Sequence, residues 1–272
     1  MISPSPIPES RLRFETSAGT HVGLAREENQ DDLLVKPEAG LWAVADGVGG
    51  LHDGRLASRT LVEALAAVPP GRDLRGIVAA VRGQAGIANR SLLDIAHRRS
   101  IALGTTLVAL AARDEGFACL WAGDSRLYQI RGRQIRRISE DHSEAGELVR
   151  QGVLTHEEAR DWPRRNVITR ALGVEEPLDL ELAQGRIEDG DIFILCSDGL
   201  TAHLDDSEIL AVVAGRPLDG AADALIEATL RRGASDNVTV IVVGARRENR
   251  HREVAGMREK TVYIIPRAVP RE

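Results

Sequence analysis

The sequence predicts an α+β fold, two antiparallel β-sheets packed face to face with helices outside them. Two observations carry this. Many short, β-branched apolar runs are separated by turn residues, the signature of strands. The helical patterns come in blocks and do not alternate one for one with strands, as a parallel βαβ sheet would require. A further regularity concerns chemistry: apolar strands repeatedly end in an aspartate beside a glycine. Leu41-Trp42-Ala43-Val44-Ala45-Asp46-Gly47 is the clearest case, followed by Phe193-Ile194-Leu195-Cys196-Ser197-Asp198-Gly199 and Trp121-Ala122-Gly123-Asp124. Gly233-Ala234-Ser235-Asp236-Asn237 places another aspartate just before a strand.

The elements follow in order. Residues 1–12 read as a flexible lead-in, because Pro4, Pro6 and Pro8 remove backbone donors. Strands are expected over 14–17, 20–24 and 33–35, with the charged loop Arg26-Glu27-Glu28-Asn29-Gln30-Asp31 before the third. Over 57–68, Leu61, Val62, Leu65 and Val68 recur at helical steps until Pro69-Pro70-Gly71 stops them. A longer helix over 74–97 carries the stripe Ile77, Val78, Val81, Ile87, Leu92 and Ile95, weakened by Gly76, Gly83 and Gly86. Strands over 105–111, 117–121, 126–130 and 134–138 come next, with Gly132 as a hairpin signal. A short helix over 143–152 and the capping box Thr155-His156-Glu157-Glu158 lie in a polar stretch, 143–166, that reads as a surface flap. Strands over 178–184, 192–196 and 238–243 and helices over 207–214 and 218–232 complete a single domain, 13–245. Residues 246–272 form a charged tail.

Bulk properties exclude several classes. The 272 residues are 43% hydrophobic and 28% charged, ordinary for a globular protein with a sizeable core. A formal net charge of −6 argues against a general nucleic-acid binder. No apolar run approaches the roughly 18 residues of a membrane span, and the N-terminus lacks the basic and apolar regions of a signal peptide. Cys119 and Cys196 each lie in an apolar strand and read as buried free thiols. A monomeric cytoplasmic protein is expected.

Aspartates at strand ends offer hard oxygen ligands, which suit Mg²⁺ or Mn²⁺, and the scattered histidines make no zinc pattern. Two cations held by such carboxylates acidify a bound water and neutralise a phosphoryl group. A cation to grip the phosphate is then needed, and Arg26 is the natural candidate, since a guanidinium fork matches phosphate oxygens. The glycine run after Asp46 has neither G-x-G-x-x-G spacing nor a following Gly-Lys-Ser/Thr, so it is no nucleotide loop.

These residues lie in segments that resemble the PPM family of metal-dependent protein serine/threonine phosphatases (the protein phosphatase 2C type), particularly its compact bacterial members. The matching segments, in the family's order, are Arg26-x-x-Asn29-Gln30-Asp31, Ala45-Asp46-Gly47-Val48-Gly49-Gly50, Gly104-Thr105-Thr106, Gly123-Asp124-Ser125-Arg126, Asp141-His142-Ser143, Ile168-Thr169-Arg170-Ala171-Leu172-Gly173, Ser197-Asp198-Gly199-Leu200 and Ser235-Asp236-Asn237-Val238. The resemblance implies a central β-sandwich flanked by helices on both sides, four layers α-β-β-α. It implies that Asp46 bridges two Mn²⁺ or Mg²⁺ ions, with the Gly47 carbonyl on one and Asp198 and Asp236 completing the other. Asp124 with Asp198 would hold a third, weaker ion, and Arg26 the substrate phosphate. Asn29, Asp31 and Asn237 would orient these groups from behind. A metal-bridging hydroxide would then attack phosphoserine or phosphothreonine in line, opposing a cognate Ser/Thr kinase. The alternatives are a non-catalytic phosphoprotein-binding regulator of the same fold and a phosphatase of small phosphorylated metabolites. The chain departs from many members at Gln30, where an acid is common, at Val48, where a proton-donating His is common, and at Arg55, where an acid is common.

Overall fold

The computed structural model describes residues 12–49 and 53–248. The lead-in up to residue 11, Gly50 of the glycine run and the tail from residue 249 onward lie outside the described residues. One sheet contains, in spatial order, β1 (Leu12–His21), β11 (Val238–Arg247), β10 (Ile192–Cys196), β7 (Arg126–Arg131) and β8 (Gln134–Arg137). The other contains β2 (Asp31–Lys36), β3 (Leu41–Gly49), β5 (Leu107–Arg113), β6 (Gly116–Ala122) and β9 (Glu181–Arg186), with β4 (Leu103–Thr105) paired to the end of β3. The strand pairs are antiparallel throughout.

Three apolar clusters separate four layers. Between the sheets lie Trp42, Val44, Leu110, Phe117, Phe193, Leu195, Ile241 and Val243, among others. The second sheet's outer face packs Leu41, Ala43 and Ala45 against α1 (Asp53–Ala66) and α2 (Leu74–Arg99). The first sheet's outer face packs Ile194, Cys196, Val240 and Val242 against α5 (Asp198–Thr201), α6 (Asp206–Val213) and α7 (Ala221–Leu230). This accounts for the near-continuous apolar runs in antiparallel strands: alternate side chains enter two different cores, so neither face of a central strand meets water. The expected four-layer α-β-β-α sandwich is what forms.

Local chemistry fixes the helix ends. The Asp73 carboxylate accepts from the Gly76 amide at 2.7 Å and caps α2. Beyond α1, the Lys36 ammonium donates to the carbonyls of Ala66 and Val68 at 2.5 and 2.9 Å, where terminal carbonyls need a partner. The polar stretch holds two short helices, α3 (Glu144–Arg150) and α4 (His156–Arg160), the latter opened by the expected capping box.

Four sequence expectations change. The two strands over 14–17 and 20–24 are one, β1. Gly19 is no turn but continues the register opposite Val240, and a Cβ there would meet Ile226 Cδ1 of α7 at 2.8 Å. The strand expected over 105–111 breaks at Thr106, whose amide and hydroxyl both serve Asp46. Leu178 and Leu180 pack under α2 instead of opening β9. Ile87 leaves the buried stripe of α2 and is 51% exposed, while Ala85, Ala88 and Asn89 take the buried positions.

Phe117 and Phe193 meet edge to face across the seam, with centroids 4.9 Å apart. Both are fully buried, so Phe193→Ala leaves a cavity between the sheets and is expected to cost about 3–5 kcal/mol. Urea unfolding checks this: the midpoint falls while the m value stays constant.

Candidate metal and phosphate site

The alternation of β3 builds the site. Trp42 and Val44 point between the sheets, and the same two-residue period delivers Asp46 to the end of that seam. Asp31 lies directly opposite Asp46 in the β2–β3 register. The first sheet answers from the other side. The Ser197 hydroxyl, on the inward face after Leu195, donates to Asp31 Oδ2 at 2.8 Å. Thr239, on the inward face before Ile241, donates to the same oxygen at 2.7 Å. The apolar seam therefore ends in buried polar groups drawn from both sheets.

Asp198 opens α5 immediately after β10, and Asp236 sits just before β11. Asp124 follows β6 through Gly123, whose φ of +111° needs glycine, with the Thr106 Cβ only 2.6 Å from where a side chain would begin. The carboxylates sense one another. Burial first, then the charges of Asp31, Asp198, Asp124 and Asp236, pushes Asp46 well above the ordinary carboxylate range. Burial and then Asp198 raise Asp124 well above it too. Asp198 is pushed up to about 6 by burial and by Asp236. Asp31 reaches about 7, chiefly through burial, although the hydroxyls of Thr239 and Ser197 pull it down. Asp31 Oδ1 and Asp124 Oδ1 are buried without a hydrogen-bond partner. Such a cluster is unfavourable unless positive charge joins it.

Two guanidiniums supply part of that charge: Arg126 lowers Asp198 and Asp124 from the β7 side, and Arg26 reaches Asp236 from the loop before β2. Arg26, 56% exposed on its loop, donates to Asp236 Oδ2 at 2.7 Å, and the charges of Asp198 and Asp46 add to the pull that raises its pKa. Its loop is clamped from behind. The Asn237 side chain donates to the carbonyls of Val22 and Glu28 and accepts from the Gln30 amide. Asn29 donates to Thr20 Oγ1 and accepts from the Asp31 amide. All the aspartates singled out from the sequence are thus brought to one end of the sandwich, with Arg26 beside Asp236. Gly47 lies under them in a tight approach, where a Cβ would sit 2.0 Å from the Gly54 carbonyl oxygen. Val48 is 41% exposed at this end. Arg55 gains a physical account: it pairs with Glu28 of the Arg26 loop at 3.2 Å.

The residues that support these carboxylates lie in the matching segments, but their role is visible only in the structure. Thr105 and Thr106 read as plain core-strand residues, yet the Thr105 hydroxyl donates to the Asp46 carbonyl at 3.0 Å and the Asp46 amide donates to the Thr106 hydroxyl at 3.0 Å. Thr106 also shares a hydrogen bond with Ser125 at 2.7 Å, linking Asp46 to the Asp124 turn. Below that turn, Arg126 makes a bidentate pair with Asp141 at 2.9 and 2.6 Å. His142 Nδ1 accepts from the Gly123 amide at 3.2 Å, and its Nε2 faces Glu181 at 3.1 Å. Asp141-His142 is therefore a structural turn. In sequence these residues were marked only as parts of the matching segments Gly104-Thr105-Thr106, Gly123-Asp124-Ser125-Arg126 and Asp141-His142-Ser143, with no supporting role attached.

The donor set is all oxygen, which fits Mg²⁺ or Mn²⁺. Among the described residues no three Asp, Glu, His or Cys side chains converge into a ligand shell of their own. A hard cation that keeps several waters needs only one or two carboxylates. A groove of about 430 Å³ lined by Leu12, Phe14, Pro37 and Ala112 lies at the other end of the sandwich, where Leu12 pairs with Arg247, far from these groups.

A family model described as "Protein phosphatase 2C" matches residues 19–237. The chain belongs to the protein phosphatase 2C family. Among its relatives in that family, the serine/threonine protein phosphatase PstP of Mycobacterium tuberculosis is 38% identical over 237 residues, 85% of this chain but 44% of PstP. This chain thus spans less than half of that relative. The protein phosphatase PhpP of Streptococcus pneumoniae is 31% identical over 255 residues, 87% of this chain and 99% of PhpP. Among solved structures, PppA, described as a key regulatory component of T6SS in Pseudomonas aeruginosa, superposes with a TM-score of 0.80 at 41% identity, covering 87% of this chain and 99% of PppA. The PstP catalytic domain in complex with two manganese ions superposes with a TM-score of 0.76 at 33% identity, covering 86% of this chain and 99% of that one.

The Arg126–Asp141 pair gives this protein phosphatase 2C chain a pH signature. Burial alone would raise the Asp141 carboxyl, but the charge and hydrogen bonds of Arg126 hold it below the ordinary value. A depressed carboxyl stabilises above its unfolded value, about 3.9, and that contribution is lost as pH falls through the folded value. Asp141→Asn leaves a part-buried guanidinium without its carboxylate and is expected to cost about 1.5–3 kcal/mol at neutral pH. Chemical denaturation at a series of pH values checks both: below pH ~4 the gap between parent and variant should close.

Proposed function

We propose that this chain hydrolyses phosphoserine and phosphothreonine in proteins with the help of two Mn²⁺ or Mg²⁺ ions. The observation that carries the reading is the cluster of mutually repelling carboxylates at the seam end, with Arg26 at its edge. Asp46 and the Gly47 carbonyl, Asp198 and Asp236 are the groups that would hold the two ions, and Asp124 with Asp198 a third, weaker one. Such ions, when bound, supply a water acidic enough to ionise near neutral pH and offset the charge on a phosphoryl group.

The chain's own residues do the rest. Arg26 is exposed and held by one carboxylate, so it can turn its fork to a phosphate, which offers the same oxygen geometry. Asn29, Asp31 and Asn237 act from behind, fixing the Arg26 loop and the strand opposite Asp46. Val48 has no proton to give, so the leaving alkoxide takes its proton from water or from another side chain. The flap, 143–166, follows His142, whose ring and amide bond Gly123 beside Asp124, and is read as the part that selects among phosphoproteins. The catalytic unit is taken as 13–245, with Leu12, Arg246 and Arg247 added because β1 and β11 pair through them. We read the protein as a cytoplasmic monomer that reverses a Ser/Thr kinase; the description of PppA as a regulatory component supports a signalling role. Among the described residues no helix is long and apolar enough to cross a membrane.

The direct test is hydrolysis of an aryl phosphate and a phosphothreonine peptide after chelation, then with millimolar Mn²⁺. Activity should vanish with EDTA and return with Mn²⁺; no turnover of either substrate with Mn²⁺ would sink the reading and favour a phosphoprotein-binding regulator. Arg26→Ala should raise KM for both substrates about 10- to 100-fold, since a hydrogen bond to a charged group is worth about 1.5–3 kcal/mol. A KM equal to the parent's would remove Arg26 from phosphate binding.

A further inference from the structure

We infer that His203 is a positioning residue for the Asp236 side of the site, resting on the reading that Asp236 holds a cation. Asp236 lies in the loop between α7 and β11, a segment with no regular structure of its own. Where its carboxylate sits depends on how that loop is pinned. Asn237 fixes the far side through its bonds to Val22 and Glu28. On the near side, the residue before Asp236 donates its backbone amide, Ser235 N–H, to His203 Nε2 at 3.1 Å, and the Ser235 hydroxyl lies 3.3 Å from the same nitrogen.

His203 lies just beyond α5, the helix that begins with Asp198, and its amide donates to the Leu200 carbonyl at 3.2 Å. One imidazole thus ties the segment carrying Asp198 to the loop carrying Asp236. The tie is held from its other end as well. The His203 carbonyl accepts from Arg232 at 2.6 Å, and Arg232 grips Glu208. Glu208 closes the capping box of α6 on the Asp205 amide at 3.0 Å. The chain of contacts therefore runs from α6 through Arg232 and His203 to Ser235. The bond uses the Nε2 lone pair of His203 as the acceptor for the Ser235 amide. A glutamine oxygen could accept the same bond; an alanine methyl could not. Two carboxylates that share one charged neighbourhood repel, and a rigid tie between their supports keeps them at a fixed separation without a cation's help. Groups that orient metal ligands in this way typically change metal affinity about 10- to 100-fold when removed.

Calorimetric titration of the chelated full chain with Mn²⁺ tests the assignment, using the parent, His203→Ala, His203→Gln and Asp236→Asn. His203→Ala should weaken Mn²⁺ binding about 10- to 100-fold, in the direction of Asp236→Asn, and His203→Gln should recover most of it. His203→Asn, too short to reach Ser235, should behave like the alanine variant and serves if that one does not fold. A His203→Ala protein that binds Mn²⁺ as the parent does would overturn the inference while leaving the metal site standing. A parent that takes up no Mn²⁺ would overturn both.

Discussion

The structure depends on one constraint: a two-residue period that cannot change along a strand. The side chains of β3 that enter the seam between the sheets are Trp42, Val44 and then Asp46, and no register shift could keep the first two buried and turn the third away. The same holds for Leu195 of β10 with Ser197 just beyond it, and for Ile241 and Thr239 on β11. The apolar seam that stabilises the sandwich and the polar cluster at its end are two parts of one alternation. A core packed at this density holds the cluster in place even though its charges repel.

That arrangement divides the labour between rigid and adaptable groups. Asp46 lies within β3, which runs on to pair with β4, Asp198 opens α5, and Asp124 and Asp236 sit in the turns beside β6 and β11, with Asp46 bonded through its backbone to Thr105 and Thr106. Arg26, in contrast, sits on an exposed loop and holds Asp236 through a single guanidinium nitrogen. A phosphate grip that must catch and release is well served by such a group, whereas ligands for a hard cation need fixed positions. The part-buried Arg126–Asp141 pair and His142 hold the turn that presents Asp124, so even the less central carboxylate has a defined support.

Much of this was legible in the sequence because each central strand is apolar on both faces and each site aspartate flanks such a run. The sandwich, the helix blocks and the choice of Asp46, Asp124, Asp198 and Asp236 came from that pattern and from the family resemblance. What stayed hidden was pairwise. Gly19 reads as a turn in isolation, and only the approach of Ile226 explains it as a strand residue. Thr106 reads as a β-branched core residue, and only its bonds to Asp46 and Ser125 show why β4 and β5 separate there. Ile87 fits a helical stripe by spacing, but the buried face of α2 passes one position away, through Ala88. The link between His203 and Ser235 spans 32 positions, and no local pattern marks it.

The central claim is that the carboxylates at the seam end are a cost to the folded chain that divalent cations relieve. An aspartate whose pKa is raised on folding destabilises the fold at neutral pH, whether it ionises among its neighbours or takes up a proton, and replacing it with a neutral amide removes the penalty. Thermal unfolding of the parent and of Asp46→Asn, each in EDTA and in Mn²⁺, measures this directly. The parent should gain several degrees with Mn²⁺, while Asp46→Asn should exceed the parent in EDTA and gain little from the ion. An Asp46→Asn protein less stable than the parent in EDTA, with an undiminished gain from Mn²⁺, would contradict the account.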